Sequence, residues 1–259
     1  MYLLADIGNT RVKLAMFEDT NVPIYYEAIE HSNALDLVNA LNKIKNNHPY
    51  IENVYYSSVS LKVNDLFEGS VEDCFNIKPY RVTHSDIKLK DNLYEPKNAV
   101  GIDRLLSTYA SICLEGSSDE DKYASIVIDM GTATTISIML SDFTFLGGMI
   151  IAGTKTSYQA LSNCTSLPYY EIGAVENIPS PISNNVKDAL MSGAMYNTIG
   201  TVNYAVSETK KFIKSKYNIK SKIFLTGGIS NLKLLKCKIY PFLVLQGIYF
   251  NMIDNKNTI

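Results

Sequence analysis

The stretch "LLADIGNTRVKLAMF", residues 3–17, decides the fold. It sets Asp6, Gly8, Asn9 and Thr10 between two apolar runs of strand-forming residues. Such a pattern reads as a β-hairpin, with glycine where the backbone turns sharply or admits a ligand. Much further on, residues 126–139 read "IVIDMGTATTISIM", nearly the same phrase. Asp6-Ile7-Gly8-Asn9-Thr10 lies over Asp129-Met130-Gly131-Thr132-Ala133. A repeat spaced by about half the chain points to duplication of one α/β unit rather than to a solenoid of shorter period.

Periodicity fills in both halves. In the first, strands are expected near 24–29, 53–59 and 79–83, and helices near 33–46, 61–73 and 100–115. In the second, a strand near 143–151 leads to helices near 154–164 and 185–216. A strand at 222–226, a short helix after Gly228 and an edge strand near 242–245 complete it. The polar segment "LEGSSDEDKYAS", 114–125, reads as the connection, which gives an N-terminal lobe 1–117 and a C-terminal lobe 118–259. Two related lobes imply a cleft, the usual place for a small ligand. Helix 100–115 carries more apolar surface than one core needs, which is compatible with an interface.

Composition narrows the function. The chain has 259 residues, 46% hydrophobic and 19% charged, the balance of a soluble globular protein with real cores. A formal charge of -2 supplies no basic field, so neither nucleic acid nor an anionic membrane is expected as a partner. No apolar run reaches the roughly 20 residues of a membrane span, and Asp6 interrupts any signal-like N-terminus. Cys74, Cys113, Cys164 and Cys237 lie far apart, which fits buried thiols in a reducing cytoplasm. The three scattered histidines, His31, His48 and His84, argue against a zinc site.

The paired turns suit a phosphate. Small residues expose backbone N–H groups, and Thr10, Thr132, Thr134 and Thr135 add hydroxyl donors. Asp6 and Asp129 would repel an anion, so each makes sense with a cation alongside; Lys13 is a point charge on the first hairpin. Neither G-x-x-x-x-G-K-[ST] nor a strand-to-helix G-x-G-x-x-G occurs, which leaves P-loop and dinucleotide enzymes without support. Gly227-Gly228, after a strand, would let a flat ring or ribose approach the backbone. A third station, "YEPKNAVGIDRLLSTYA", opens a helix with Asp103 and Arg104. The first could accept a proton from a hydroxyl and the second could grip a carboxylate or phosphate; Asp103 could equally be a favourable charge at a helix start.

Taken in order, Asp6-x-Gly8-Asn9-Thr10-x-x-Lys13, Gly101-x-Asp103-Arg104, Asp129-x-Gly131-Thr132-Ala133-Thr134-Thr135 and Gly147-Gly148-x-Ile150 resemble a type III pantothenate kinase. The resemblance covers essentially the whole chain. It implies the α/β fold of the sugar kinase/Hsp70/actin-like superfamily: a duplicated actin-like ATPase (ribonuclease H-like) fold, two similar lobes with a cleft. It also implies ATP-dependent phosphorylation of pantothenate, the first step towards coenzyme A, by a homodimer that uses Mg²⁺ and a monovalent cation, K⁺ or NH₄⁺.

Residue by residue, the resemblance implies nucleotide contacts from Asp6, Ile7, Gly8, Asn9, Thr10, Arg11, Val12 and Lys13, and from Thr132. The general base matches Asp103. Pantothenate contacts match Tyr94, Gly101, Ile102, Asp103 and Arg104, and the monovalent-cation ligand matches Asp129. Two departures stand out. Ala152 replaces a proline in G-G-x-I-x-P-G, which should loosen a loop. In "NVKDALMSG", Val186 occupies the place of a substrate-site threonine and Asp188 that of a glutamate. Losing that hydroxyl should cost about 1 kcal/mol of substrate binding. Two alternatives stay open: a kinase of the same superfamily acting on another small hydroxyl substrate, and a non-catalytic ligand-binding homologue.

Overall fold

The structure, a computed structural model, describes residues 1–30, 34–118, 120–171, 179–228 and 237–256. The chain divides into two compact units. The first comprises Met1–Gly116, the short segment Phe143–Phe145 and the residues from Phe242; the second comprises Ser117–Asp142 and Leu146–Pro241. The sequence reading puts everything after 117 into the second lobe, so the grouping of the last helix with the first unit is a feature it does not contain.

In the first unit, β1 (Tyr2–Ile7) pairs antiparallel with β2 (Arg11–Phe17), and β2 antiparallel with β3 (Tyr25–Glu30). On the other side β1 pairs parallel with β4 (Asn53–Ser58), and β4 with β5 (Tyr80–Arg81), giving the order β3-β2-β1-β4-β5. Alternation along the strands splits the side chains between two faces. Leu3, Ala5, Ile7, Val12, Leu14, Met16, Val54 and Tyr56 form a core with α1 (Ala34–Asn47) and α2 (Leu61–Phe75). Asp6 and Lys13 point to the opposite face, where α3 (Ile102–Glu115) packs on β4 and α6 (Leu243–Lys256) packs on β1 and β4.

In the second unit β7 (Tyr123–Met130) pairs antiparallel with β8 (Ala133–Leu140) and parallel with β10 (Lys220–Thr226). The order continues β10-β7-β8-β9, with β9 at Thr144–Ala152; the short β6 (Asp91–Asn92) pairs parallel with Thr144 and Phe145, residues that belong with it to the first unit. The run β9-β8-β7-β10 repeats β3-β2-β1-β4: an antiparallel meander whose first strand also takes a parallel neighbour. The duplication seen in sequence is thus a duplication of topology. Ala124, Ile126, Ile128, Ile136 and Ile138 pack against Val202, Val206 and Ile213 of α5 (Val186–Tyr217), while α4 (Thr154–Cys164) follows β9 directly.

Several expectations are corrected. Residues 242–245 are not an edge strand: a turn at 242 leads into α6 at Leu243. Its residues Leu243 to Tyr249 are all buried, together with Asn251 and Met252. A helix apolar on every side shows no polar period, and "FLVLQGIYF" therefore imitates a strand. Helix α3 needs no second protein to cover its apolar residues: Leu105, Leu106, Tyr109, Ala110 and Ile112 are all buried, and α6 of the same chain packs along it. Tyr109 donates its hydroxyl to Asp254 across that seam.

The cysteines are free, but Cys164 is exposed and the other three are half-buried, not fully buried. Burial pushes the Cys113 thiol up to about 12. Ala152 loosens no loop, because β9 runs straight into Gly153, the N-cap of α4. The short helix expected after Gly228 falls outside the described residues.

Candidate active site

The first hairpin turns through Gly8, Asn9, Thr10 and Arg11. The Gly8 N–H donates to the Arg11 carbonyl at 3.0 Å, and Asn9 and Thr10 form an exposed tip. Ile7 and Val12, next to the turn, are fully buried in the core and are its anchors rather than its surface. Residues facing each other in the ladders share a face, so Lys13 on β2, Asp6 on β1 and Ser57 on β4 form one row. Asp6 is only 3% exposed, and Lys13 donates its Nζ to Asp6 Oδ2 at 2.9 Å. The carboxylate that the sequence left wanting a cation has one built in. Arg11 reaches out to Glu30 at 3.8 Å.

The second hairpin is one residue tighter. Gly131 N–H donates to the Ala133 carbonyl at 3.1 Å, leaving Thr132 alone at the tip. Its row consists of Thr135 on β8, Asp129 on β7 and Thr226 on β10. Thr134 lies on the core face with Ile136 and is 2% exposed, so it does not serve the turn.

Two glycines close in from elsewhere. A Cβ on Gly227 would lie 2.5 Å from Asp129 Oδ1 and from Met130 N, so this glycine backs the acid rather than making room for a ring. A Cβ on Gly153 would lie 2.3 Å from the Gly131 carbonyl oxygen and 2.5 Å from that of Thr132. Both carbonyls therefore face Gly153. In a trans peptide the next N–H points the opposite way, so the N–H groups of Thr132 and Ala133 are presented together on the other side. Adjacent donors of this kind form an anion-binding concavity.

The third station lies in the first unit. Gly101 is the N-cap of α3, and a Cβ there would lie 2.4 Å from Asp103 Oδ1. The half-buried Asp103 carboxylate thus curls back over the helix start, accepting the Arg104 N–H at 2.9 Å. Ile102 is buried beneath it. Arg104 is 4% exposed, its guanidinium carbon 5.6 Å from the ring of Tyr94 and 5.9 Å from that of Phe145. Tyr94 N–H donates to Asn92 Oδ1, and His84 donates Nε2–H to the Val100 carbonyl at 2.7 Å. Tyr94, Gly101, Ile102, Asp103 and Arg104 are thereby gathered at one helix N-terminus, with Arg104 clamped on aromatic faces.

Val186 stands in the second unit, half-exposed, as the first residue of α5. Its neighbours make a reciprocal cap: Asn185 accepts the Asp188 N–H at 2.9 Å and donates to Asp188 Oδ2 at 2.7 Å. The Asn-x-x-Asp pattern therefore builds a helix start. Gly147-Gly148 likewise has a packing role, since a Cβ on Gly148 would lie 1.9 Å from the Ile136 carbonyl oxygen. Among the described residues no group of three or more His, Cys, Asp or Glu converges on a metal position, and no helix is long and apolar enough to cross a membrane.

A family model described as type III pantothenate kinase matches residues 2–208, a span that contains both hairpins, the Asp103 station and the α5 cap. The chain belongs to that family. A curated type III pantothenate kinase from Sulfurihydrogenibium sp. (strain YO3AOP1) is 30% identical over 262 residues, covering 96% of this chain and 98% of the relative. Another from Geobacillus sp. (strain WCH70) is 28% identical over 271 residues, covering 99% and 100%.

Among solved structures, the Lmo2764 protein of Listeria monocytogenes, named for a suggested N-acetylmannosamine kinase activity, has a TM-score of 0.50 at 12% identity. The match covers 99% of both chains. The fold is the duplicated actin-like one. Gly153 and Thr156, which the sequence reading did not name, and Gly227, which it read as room for a ring, shape the second turn, Thr156 by donating its hydroxyl to the Thr132 carbonyl. Gly153 had a signal, a glycine directly after a strand and before a helix.

Proposed function

We propose that the protein transfers the terminal phosphoryl group of ATP to the hydroxyl of pantothenate, the first step of coenzyme A synthesis. The observation that carries this reading is the acid-bearing glycine turn, present twice at the same place in two like-ordered sheets of a chain that belongs to the pantothenate kinase family. Phosphoryl transfer asks mainly for positioned donors, neutralised charge and an oriented hydroxyl.

The residues divide that work. The turn from Asp6 to Lys13, through Ile7, Gly8, Asn9, Thr10, Arg11 and Val12, supplies N–H and hydroxyl donors to phosphate, with Lys13 cancelling the charge of Asp6. Thr132 offers the second set of donors. Asp103 takes the proton from the substrate hydroxyl as general base, and Tyr94, Gly101, Ile102 and Arg104 hold the substrate, with Val186 as a further contact in place of a hydroxyl.

Hard cations fit the oxygen donors present: a carboxylate at Asp129, flanked in both ladders by the threonines Thr135 and Thr226, suits K⁺ or NH₄⁺. Mg²⁺ carried on the nucleotide supplies charge neutralisation at the phosphates. The reaction belongs in the cytoplasm, where ATP is abundant, and the working form is a homodimer, as the family resemblance implies.

Asp103→Asn tests the assignment. Turnover should fall by about 100-fold or more, as when a positioned base is removed, with ATP affinity nearly unchanged. Near-normal turnover would remove Asp103 from that role.

A further inference from the structure

Helix α4 grips the second turn from behind. Gly153 donates its N–H to the Thr132 carbonyl at 3.1 Å, and Thr156 donates its Oγ1 hydroxyl to the same oxygen at 2.6 Å. A carbonyl oxygen offers two lone pairs, so these two donors meet its full capacity. Any residue at 153 would bring an N–H, although only glycine fits there. The bond from Thr156 exists only because position 156 carries a hydroxyl. Thr156 is itself exposed, so burial gives no reason for its identity.

The geometry points to Thr156 as a positioning residue for the phosphate-binding side of the second turn. By holding the Thr132 carbonyl on the α4 side, it fixes the peptide plane whose other end is the Ala133 N–H. That donor then stays aimed, beside the Thr132 N–H, at an incoming phosphate oxygen. Without the hydroxyl the Thr132 carbonyl keeps the Gly153 N–H bond but loses the second donor that fixes its direction from the α4 side. A tip of a single residue has no neighbour to absorb a change in that direction. The inference rests on the kinase reading given above, because it names the turn as a phosphate site.

The test uses the full chain and three measurements: binding of ATP, binding of adenosine, and the KM for pantothenate. Thr156→Val keeps the shape and removes the donor; Thr156→Ser keeps the donor. Thr156→Val should weaken ATP about fivefold, the size of one ordinary hydrogen bond, and leave adenosine binding and the pantothenate KM as they were. Thr156→Ser should match the wild type. ATP bound normally by Thr156→Val, ATP and adenosine weakened alike, or Thr156→Ser as weak as Thr156→Val would each overturn the role. Wild-type protein that binds ATP and phosphorylates pantothenate upholds the kinase reading whatever these variants do. A wild type that binds no ATP overturns that reading, and this inference with it.

Discussion

The two hairpins begin as copies and end as different devices. In the first, the acid Asp6 is flanked across its ladders by Lys13 and Ser57, and a tip of two exposed residues, Asn9 and Thr10, stands clear. In the second, Asp129 is flanked by Thr135 and Thr226, and the tip is Thr132 alone, pressed against Gly153. Where the first row has an ammonium the second has a hydroxyl. One turn carries its counter-ion as a side chain; the other has hydroxyls at the matching positions, which in the proposed reading leave room for a cation from solution. Duplication supplied the frame, and single residues at matched register positions set the electrostatics of each half.

Substitutions can break that contrast or sharpen it. The largest effect is expected at the tight tip. Gly153→Val would drive a Cβ into two carbonyl oxygens and displace the turn, and a misplacement of about 1 Å costs about 100-fold in kcat/KM for ATP. Steady-state kinetics with varied ATP would check this, while the equivalent crowding at the open first tip should be tolerated.

Next come the cations. Replacing potassium by sodium should lower the rate by about tenfold, equivalent to one charge-assisted contact of about 1.4 kcal/mol, and an unchanged rate would refute an ion at Asp129. Thr135→Lys, which copies the first row into the second, should make the rate the same in either salt. Asp6→Asn leaves Lys13 without its carboxylate in a half-buried setting and should cost about 1–2 kcal/mol of stability, read from denaturant unfolding. The smallest effect belongs to the exposed first tip: Thr10→Ala should weaken ATP by only about threefold.

Most of the fold was legible because it is repeated. The phrase around Asp6 and its echo around Asp129 marked both hairpins, and helices with one apolar stripe, such as α1, declared themselves by period. Helix α6 did not, since burial on all sides erases the polar face that marks a helix. The candidate site could be named in sequence where a residue type carries chemistry of its own: Asp6, Lys13, Asp103, Thr132. It was illegible where a residue acts through shape. Gly153 and Gly227 matter because backbone of the second hairpin comes within 2.6 Å of where their Cβ would be; a glycine between strand and helix flags position 153 in the sequence but not what it meets. Arg104 was expected as an open fork for an anion, whereas Tyr94 and Phe145 bury it, a stacking that depends on β6 and β9 being brought together.

The central claim is that these turns serve transfer of phosphate to pantothenate. Purified protein incubated with γ-labelled ATP, Mg²⁺, potassium and pantothenate tests it most directly. The account predicts label in phosphopantothenate, with Asp103→Asn slower by two orders of magnitude or more at about the same ATP affinity. Labelled ATP that binds but passes no phosphate to pantothenate would contradict it.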